Sequence, residues 1–190
     1  MKYDDIYYKA ISLDETSPIS WGENTYRVKS LNSSKTLDVD RMLFMKIDSD
    51  IKPLLGDFHS SPKPVFIQRA KEIIEQFSLK GNQLFPITIT HKDNKFENYF
   101  ILHCHHRVRA MHKERSKFQK EGLMYFIDSL SLDENILDEI PEEERMIFGL
   151  KEKAAMILYH EKIVKALEAA EVTGVRFVKV KDWNIGSAFD

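Results

Sequence analysis

Cysteine is nearly absent from this chain, which contains one among its 190 residues. A single cysteine cannot form an internal disulfide, so nothing in the sequence points to an oxidising compartment. Long apolar runs are lacking too: none approaches the roughly 20 residues that a membrane helix needs, and residues 1–15 do not contain the apolar segment of a signal peptide. We therefore expect a cytoplasmic protein that does not enter a membrane.

The chain also lacks an excess of charge of either sign. Its 28 basic and 30 acidic side chains leave a formal net charge of −2 at pH 7, which argues against attraction of the whole molecule to nucleic acid or to an anionic membrane. The seven glycines are scattered and form neither a P-loop nor a dinucleotide-binding pattern, and a serine nucleophile elbow is missing. We predict that the protein is not an enzyme and needs no cofactor.

The length of the chain suits one domain with a sizeable core. We interpret residues 1–190 as a single domain with an irregular N-terminal part (1–60), a better patterned part (64–180) and a short polar tail (181–190). Two prolines at 62 and 64 mark the connector between the first two parts. Within residues 1–60, short strands are predicted in YYKAI, NTYRVKSL and RMLFMKI.

The pattern sharpens from Pro64 onward. Apolar residues at helical spacing predict one helix over Pro64–Leu79 and another over His160–Glu171, the second ended by Gly174. Between them, a β-branched run and the turn residues KDNK predict a β-hairpin, and further strands are predicted in LMYFIDSLSL, RMIFGL, AAMILY and VRFVKV. Because strands and helices are segregated, we predict an α+β fold: a mainly antiparallel sheet with two principal helices packed against it.

A histidine-rich stretch, ILHCHHRVRAMHKER, holds four of the seven histidines and the only cysteine. If Tyr99–Met111 is one strand, alternation places His103 and His105 on its more polar face, which we expect to meet solvent or the edge of the core. Cys104 lies on the apolar face, so we interpret it as a small buried side chain and not as a nucleophile.

A metal site in this stretch is incomplete on sequence grounds. Two histidines at i and i+2 can converge on one ion, but catalytic zinc needs three protein ligands and each face of the strand supplies two. The arginines beside the histidines would also repel a cation. We predict no metal, with a metal-dependent hydrolase built on His103 and His105 as the alternative.

Two charged segments follow the histidines. From Arg107 to Lys120 the chain is basic apart from Glu114, which leaves a small nucleic-acid-binding module as a further alternative. We favour a solvated strand end and loop, because no interleaved aromatic residues beyond Phe118 accompany the cations. From Asp133 to Glu144 the chain is acidic and contains no basic residue.

Several stretches, taken in order, resemble a bacterial family of immunity proteins encoded beside polymorphic toxins. They are PVFIQRAKEIIEQF, LFPITIT, YFILHCHHRVRAMHKERSKF, MIFGL and KIVKALEAAEVTGVRFVKV. The resemblance covers about residues 64–180, and its most specific element is ALEAAEVTGVRF, where a helix ends and TGVRF begins a strand. Two departures stand out: Ile67 replaces the usual serine cap of the first helix, and the histidines at 103, 105 and 106 are not part of the family pattern.

The resemblance implies a cytoplasmic, non-catalytic protein that binds and neutralises a cognate toxin. Neither a membrane nor nucleic acid is expected as a partner, and the sequence does not indicate whether the chain forms homo-oligomers. Many such toxins act on nucleic acid and need a basic groove that holds phosphates, and an acidic surface can occupy that groove. We therefore propose a toxin contact at the acidic residues of the segment 133–144, with a solvated loop that has no partner as the alternative, because charged runs usually serve solubility. These residues are Asp133, Glu134, Asp138, Glu139, Glu142, Glu143 and Glu144.

Overall fold

The computed structural model describes residues 1–22, 31–38 and 43–188 of the chain. This part is mainly β-structure with three short α-helices, α1 (Gln68–Ile74), α2 (Glu134–Asp138) and α3 (Glu161–Ala169). The predicted α+β class is confirmed. The strands are β1 (Tyr7–Ser12), β2 (Ser20–Trp21), β3 (Leu43–Lys46), β4 (Phe58–His59), β5 (Val65–Ile67), β6 (Asn82–His91), β7 (Asn94–Cys104), β8 (Arg107–Val108), β9 (Lys117–Glu121), β10 (Met124–Ser129), β11 (Ile147–Leu150), β12 (Ile157–His160) and β13 (Val175–Lys179).

The first sheet has five strands in the order β13-β1-β12-β11-β8. All of its pairs are antiparallel except β11 with β8. Strand β1 lies between β12 and β13, so that Tyr7 pairs with His160 and Ala10 with Phe177. The strands predicted in YYKAI, RMIFGL, AAMILY and VRFVKV are thereby confirmed.

The second sheet has six strands in the order β2-β3-β6-β7-β5-β4. Its centre is the predicted hairpin of β6 and β7, whose two-residue turn begins with Lys92 at φ +53°. Strand β3 runs parallel to β6, and the other pairs are antiparallel. Strand β3 confirms the strand predicted in RMLFMKI, whereas NTYRVKSL lies outside the described residues apart from its last residue.

Helices α1 and α3 lie in contact with each other and pack on both sheets. Their apolar residues include Ile74 of α1 and Leu167 of α3, which join Phe58, Phe66 and Tyr159 of the strands in one buried cluster. Burying such side chains contributes about 1.5–3 kcal/mol each. The two principal helices are therefore held by packing, as the sequence predicted.

The first helix is shorter than the predicted Pro64–Leu79. Residues Val65–Ile67 form strand β5, because they pair with β7, and α1 begins only at Gln68. Ile67 occupies the N-cap position and makes no side-chain capping bond, as expected for an apolar residue where the family pattern has serine. The spacing of the apolar residues alone did not separate the short strand β5 from the helix that follows it.

The end of α3 differs from the prediction. A residue other than Gly174 adopts the left-handed backbone conformation that ends the helix. The N–H of Val172 donates to the Leu167 carbonyl and that of Glu171 to the Glu168 carbonyl, which is the Schellman arrangement. Glu171, at φ +51°, takes the left-handed position that we had assigned to Gly174. Gly174 instead lies against Gly56, where an added Cβ would be 2.8 Å from the Gly56 Cα.

Strands β9 and β10 form a separate two-stranded hairpin. We call residues 117–129 the hairpin arm. Its inner face carries Phe118, Tyr125 and Ile127, which pack on the cluster beneath the first sheet. The arm confirms the strand predicted in LMYFIDSLSL and places its turn, Gly122 and Leu123, at the surface.

Candidate functional site

The histidine stretch is not one continuous strand. Strand β7 ends at Cys104 and β8 begins at Arg107, so the alternation assumed for Tyr99–Met111 breaks at His105. The prediction that the His103 face meets solvent or the edge of the core is wrong, since His103 has 0% of its surface exposed. Both faces of β7 are covered here, one by each of two apolar clusters.

Both ring nitrogens of His103 are engaged by the backbone. Its Nδ1 lies 3.2 Å from the Leu31 carbonyl oxygen and its Nε2 lies 2.8 Å from that of Lys35. The His105 ring lies beside this ring, with the two centroids 5.6 Å apart. Burial, and to a smaller extent the charge of the neighbouring His103, lowers the pKa of His105. A metal on His103 would have to displace one of these backbone contacts.

A ligand set for a metal is not assembled in the part of the chain that the structure describes. There, no group of three or more His, Cys, Asp or Glu side chains converges on one point. Cys104 is buried, and burial raises the pKa of its thiol to about 11. A thiol with such a pKa is a poor nucleophile at neutral pH, which agrees with its interpretation as a small buried side chain.

We call the whole acidic segment 133–144 the acidic run. Its first half is hydrogen-bonded to Lys2 near the N-terminus. The Asp133 side chain accepts from the Asn135 N–H and caps α2. Glu134 accepts from the Lys2 N–H at 2.6 Å, and Asp138 accepts from the Lys2 ammonium at 2.8 Å. These bonds from Lys2 lower the pKa of both carboxyls.

The second half of the acidic run is partly paired. Glu142 forms an ion pair with Lys162, and Glu144 forms one with Lys80. Glu139 and Glu143 are exposed and make no ion pair or side-chain hydrogen bond to any residue within the described ranges. The surface of the acidic run is therefore less uniformly negative than the sequence suggested. Among the described residues, Glu139 and Glu143 are its carboxylates that have neither an ion pair nor a hydrogen bond.

The basic segment 107–120 divides into bound and unbound cations. Arg107 donates to the Ala154 carbonyl at 2.8 Å, and Arg115 donates to the Leu132 carbonyl at 2.6 Å. Arg109, Lys113 and Lys120 are exposed and form no ion pair with any described residue. Lys117 is likewise exposed and forms no ion pair with a described residue, so the cations that remain available to a partner are these four.

Arg109, Lys113 and Lys120 line a cleft of about 410 Å³ beside the hairpin arm. We call it the basic cleft, and its lining residues are Arg109, Lys113, Lys120, Leu123, Tyr125, Lys151 and Glu152. Lys120 lies over the Tyr125 ring at 5.5 Å. Lys151 comes from the turn between β11 and β12, so no local pattern in the chain indicates that it joins the cations of the segment 107–120.

Glu152 is the only carboxyl among the residues that line the basic cleft. Its two oxygens are buried and have no hydrogen-bond partner among the described residues. Burial raises its pKa, although the nearby Arg109 and Lys113 act in the opposite direction. The cleft therefore keeps an excess of positive charge.

The hairpin arm presents apolar side chains beside this cleft. Leu123 at its turn is 95% exposed, and Met124 and Phe126 on its outer face are 61% and 44% exposed. Gly122 has φ +59°, which lets the two-residue turn close. Apolar exposure concentrated at one protruding turn is typical of a contact surface for another protein.

A comparison with known protein families adds the remaining observation. Residues 42–182 match the Immunity protein family (Imm11), and this match covers most of the chain. The chain belongs to the Imm11 immunity protein family. The resemblance predicted over residues 64–180 is thereby confirmed, and the match begins earlier in the chain. A search of curated proteins finds no match.

In this Imm11 protein the matched segment contains the acidic run, the hairpin arm and the basic cleft. Strand β1 lies before the matched residues, although it occupies an inner position of the first sheet. Across residues 1–22, 31–38 and 43–188, no α-helix is long and apolar enough to pass through a membrane.

Proposed function

We propose that this Imm11 protein acts in the cytoplasm, where it binds a cognate toxin and neutralises it without catalysing a reaction. The observation that supports the proposal is the family match over residues 42–182. The exposed apolar turn of the hairpin arm agrees with a protein partner, because contact anchors are commonly large apolar side chains surrounded by polar groups.

The two alternatives have less support. A hydrolase centred on His103 and His105 would need a third ligand and a free ring nitrogen, but both nitrogens of His103 contact backbone carbonyls. A nucleic-acid-binding module would use the basic cleft, but Leu123 and Glu152 lie among its cations. An apolar turn gains little from phosphate, and a carboxylate repels it.

Co-expression with a candidate toxin module encoded by a neighbouring gene tests the proposal. We expect cells that carry both genes to grow and cells that carry the toxin alone to stop growing. The purified proteins should also form a complex on size exclusion. Cells that die at the same rate with and without this chain, together with absence of a complex, would contradict the proposed function.

The acidic run remains our proposal for one part of the toxin contact. Changing Glu142, Glu143 and Glu144 together to Lys should slow association with the toxin and flatten its salt dependence. The fold should persist, because the two ion pairs lost with Lys162 and Lys80 are partly exposed. Association is measured by stopped flow at low and high salt.

A matched control for this triple variant changes three exposed acids elsewhere, Asp14, Glu15 and Glu97, to Lys. This control alters the net charge of the chain equally and should keep more of the association rate. Equal rates for the two triple variants would remove the acidic run from the contact.

A further inference from the structure

We propose that the hairpin arm and the basic cleft together hold the toxin, with Leu123 inserted into an apolar hollow of the toxin and an acidic segment of the toxin lying in the cleft. This inference rests on the proposed function and names the surface and the chemistry of the partner that fits it.

The arm is built as a preformed anchor. Phe118, Tyr125 and Ile127 fix its inner face to the core, so the turn is held in place before any partner arrives. Leu123 projects from that turn with 95% of its surface exposed. Binding then costs little ordering of the backbone, and the gain from burying Leu123 is largely retained.

The outer face of the arm carries exposed apolar side chains of its own. Met124 and Phe126 stand on it two residues apart, and alternation along β10 therefore points them in one direction. Exposed apolar side chains at three nearby positions favour a partner that supplies an apolar hollow. Folded proteins supply such hollows, and a phosphate backbone does not.

The basic cleft sets the charge of the partner. Arg109, Lys113, Lys120 and Lys151 line it, and none forms an ion pair with a carboxylate in the described part of the chain. Since the chain as a whole carries a charge of −2, this positive cleft is a local feature. Aspartate and glutamate side chains of a partner match it, whereas a basic segment would be repelled.

The cleft also borders the acidic run. A neighbouring hollow is lined by Arg109 and Glu152 from the cleft side and by Asp133 and Ile136 from the acidic run. Positive and negative surfaces therefore lie side by side. A toxin surface with the opposite arrangement of charges can bind in only one orientation, which gives specificity as well as affinity.

The test uses the full chain and the purified candidate toxin module encoded by a neighbouring gene. Leu123→Ser removes the anchor, and its control is Ile51→Ser, which changes an aliphatic side chain that is 74% exposed in the loop after β3. We expect the toxin Kd to rise about 30-fold for Leu123→Ser and to stay within about twofold of the unaltered chain for Ile51→Ser.

The charge of the cleft is tested by Lys113→Glu with Lys120→Glu, against Lys52→Glu with Lys95→Glu as the control of equal net charge. All four lysines are exposed and form no ion pair with a described residue, and circular dichroism verifies the fold of each variant. The cleft pair should slow association about tenfold at low salt and less at high salt, and the control pair should slow it less.

The outcomes separate this inference from the proposed function. If the unaltered chain does not bind the toxin, both are overturned. If it binds and the arm and cleft variants bind as their controls do, the surface proposed here is wrong while the function stands. Binding of a 20-base-pair DNA duplex at 150 mM salt, lost in the cleft variant, would assign the cleft to nucleic acid instead.

Discussion

Replacing Asp57 by Ala should destabilise the protein by about 2–3 kcal/mol at pH 7. Its carboxylate accepts from the Thr173 N–H at 2.9 Å, from the Thr173 hydroxyl at 2.8 Å and from the Arg69 Nε at 3.1 Å. It thereby joins α1 to the segment between α3 and β13. No other side chain in the described part replaces it at Thr173.

The magnitude follows from how exposed each partner is. The Asp57 side chain is 13% exposed, so its hydrogen bonds from Thr173 are partly buried. Because the acceptor is a charged carboxylate, these bonds together contribute about 1.5–3 kcal/mol to the free energy of unfolding. Arg69 is about half exposed, and its ion pair adds roughly 0.2–1 kcal/mol. Since both groups share one carboxylate, the two contributions do not add fully.

The pH dependence gives a second readout. Burial by itself would raise the pKa of Asp57, but the bonds from Arg69 and Thr173 outweigh burial and hold the pKa below its ordinary value of 3.8. The stabilisation is therefore fully present above the pKa of the unfolded state and is lost as the pH falls through the lower folded-state pKa. The gap between the two proteins should be constant from about pH 7 to pH 5 and should shrink below about pH 4.

Urea unfolding, followed by far-UV circular dichroism at several pH values, measures both effects. The control is Asp50→Ala, which removes a fully exposed carboxylate whose nearest cation, Lys92, is 3.8 Å away, and it should leave the unfolding midpoint unchanged. An Asp57→Ala protein as stable as the unaltered chain at pH 7, or a gap that is undiminished at pH 3, would refute the reasoning.

Three further predictions concern stability, each measured by urea unfolding. Glu171→Gly should stabilise the protein by about 0.5–1 kcal/mol, because glycine takes the left-handed C′ position of α3 without strain; a loss of stability would contradict the Schellman assignment. His103→Ala should cost about 2–3 kcal/mol, since it leaves a cavity and removes the ring contacts to the carbonyls of Leu31 and Lys35. Equal effects of His103→Ala and the partly exposed His105→Ala would contradict this. Lys9→Met should stabilise the protein by about 1–2 kcal/mol at pH 7, because burial and then Lys153 lower the pKa of Lys9 to about 8. The unaltered chain should gain stability relative to Lys9→Met as the pH rises from about 8 to 10.5, and parallel curves over that window would refute the burial of Lys9.

Local chemistry explains which elements could be predicted. The hairpin of β6 and β7 was predictable because a β-branched run, turn residues and an alternating run follow one another in the chain, and the pairing of His91 with Asn94 closes it at the expected place. Helix α3 was predictable because its apolar stripe is local. Its C′ residue was not, since glycine is the usual choice there and this chain uses Glu171.

Long-range packing explains what could not be predicted. The polar face of β7 is buried because a distant loop brings the carbonyls of Leu31 and Lys35 to His103. Strand β5 forms because Val65 pairs with Ile101 on β7, far away in the sequence. The basic cleft likewise needs Lys151 from a separate turn. The toxin contact at the acidic run and the single-domain organisation stay predictions.

The position of β1 has a consequence for synthesis on the ribosome. This strand is made before the other strands of its sheet, yet it pairs on one side with β12 and on the other with β13, which follow it far along the sequence. At typical translation rates it emerges roughly 10–30 s before its partners do. Pairings so distant in sequence also close slowly. The first sheet is thus completed only after β12 and β13 have left the ribosome, and until then β1 is an unpaired strand that a chaperone or another nascent chain can bind.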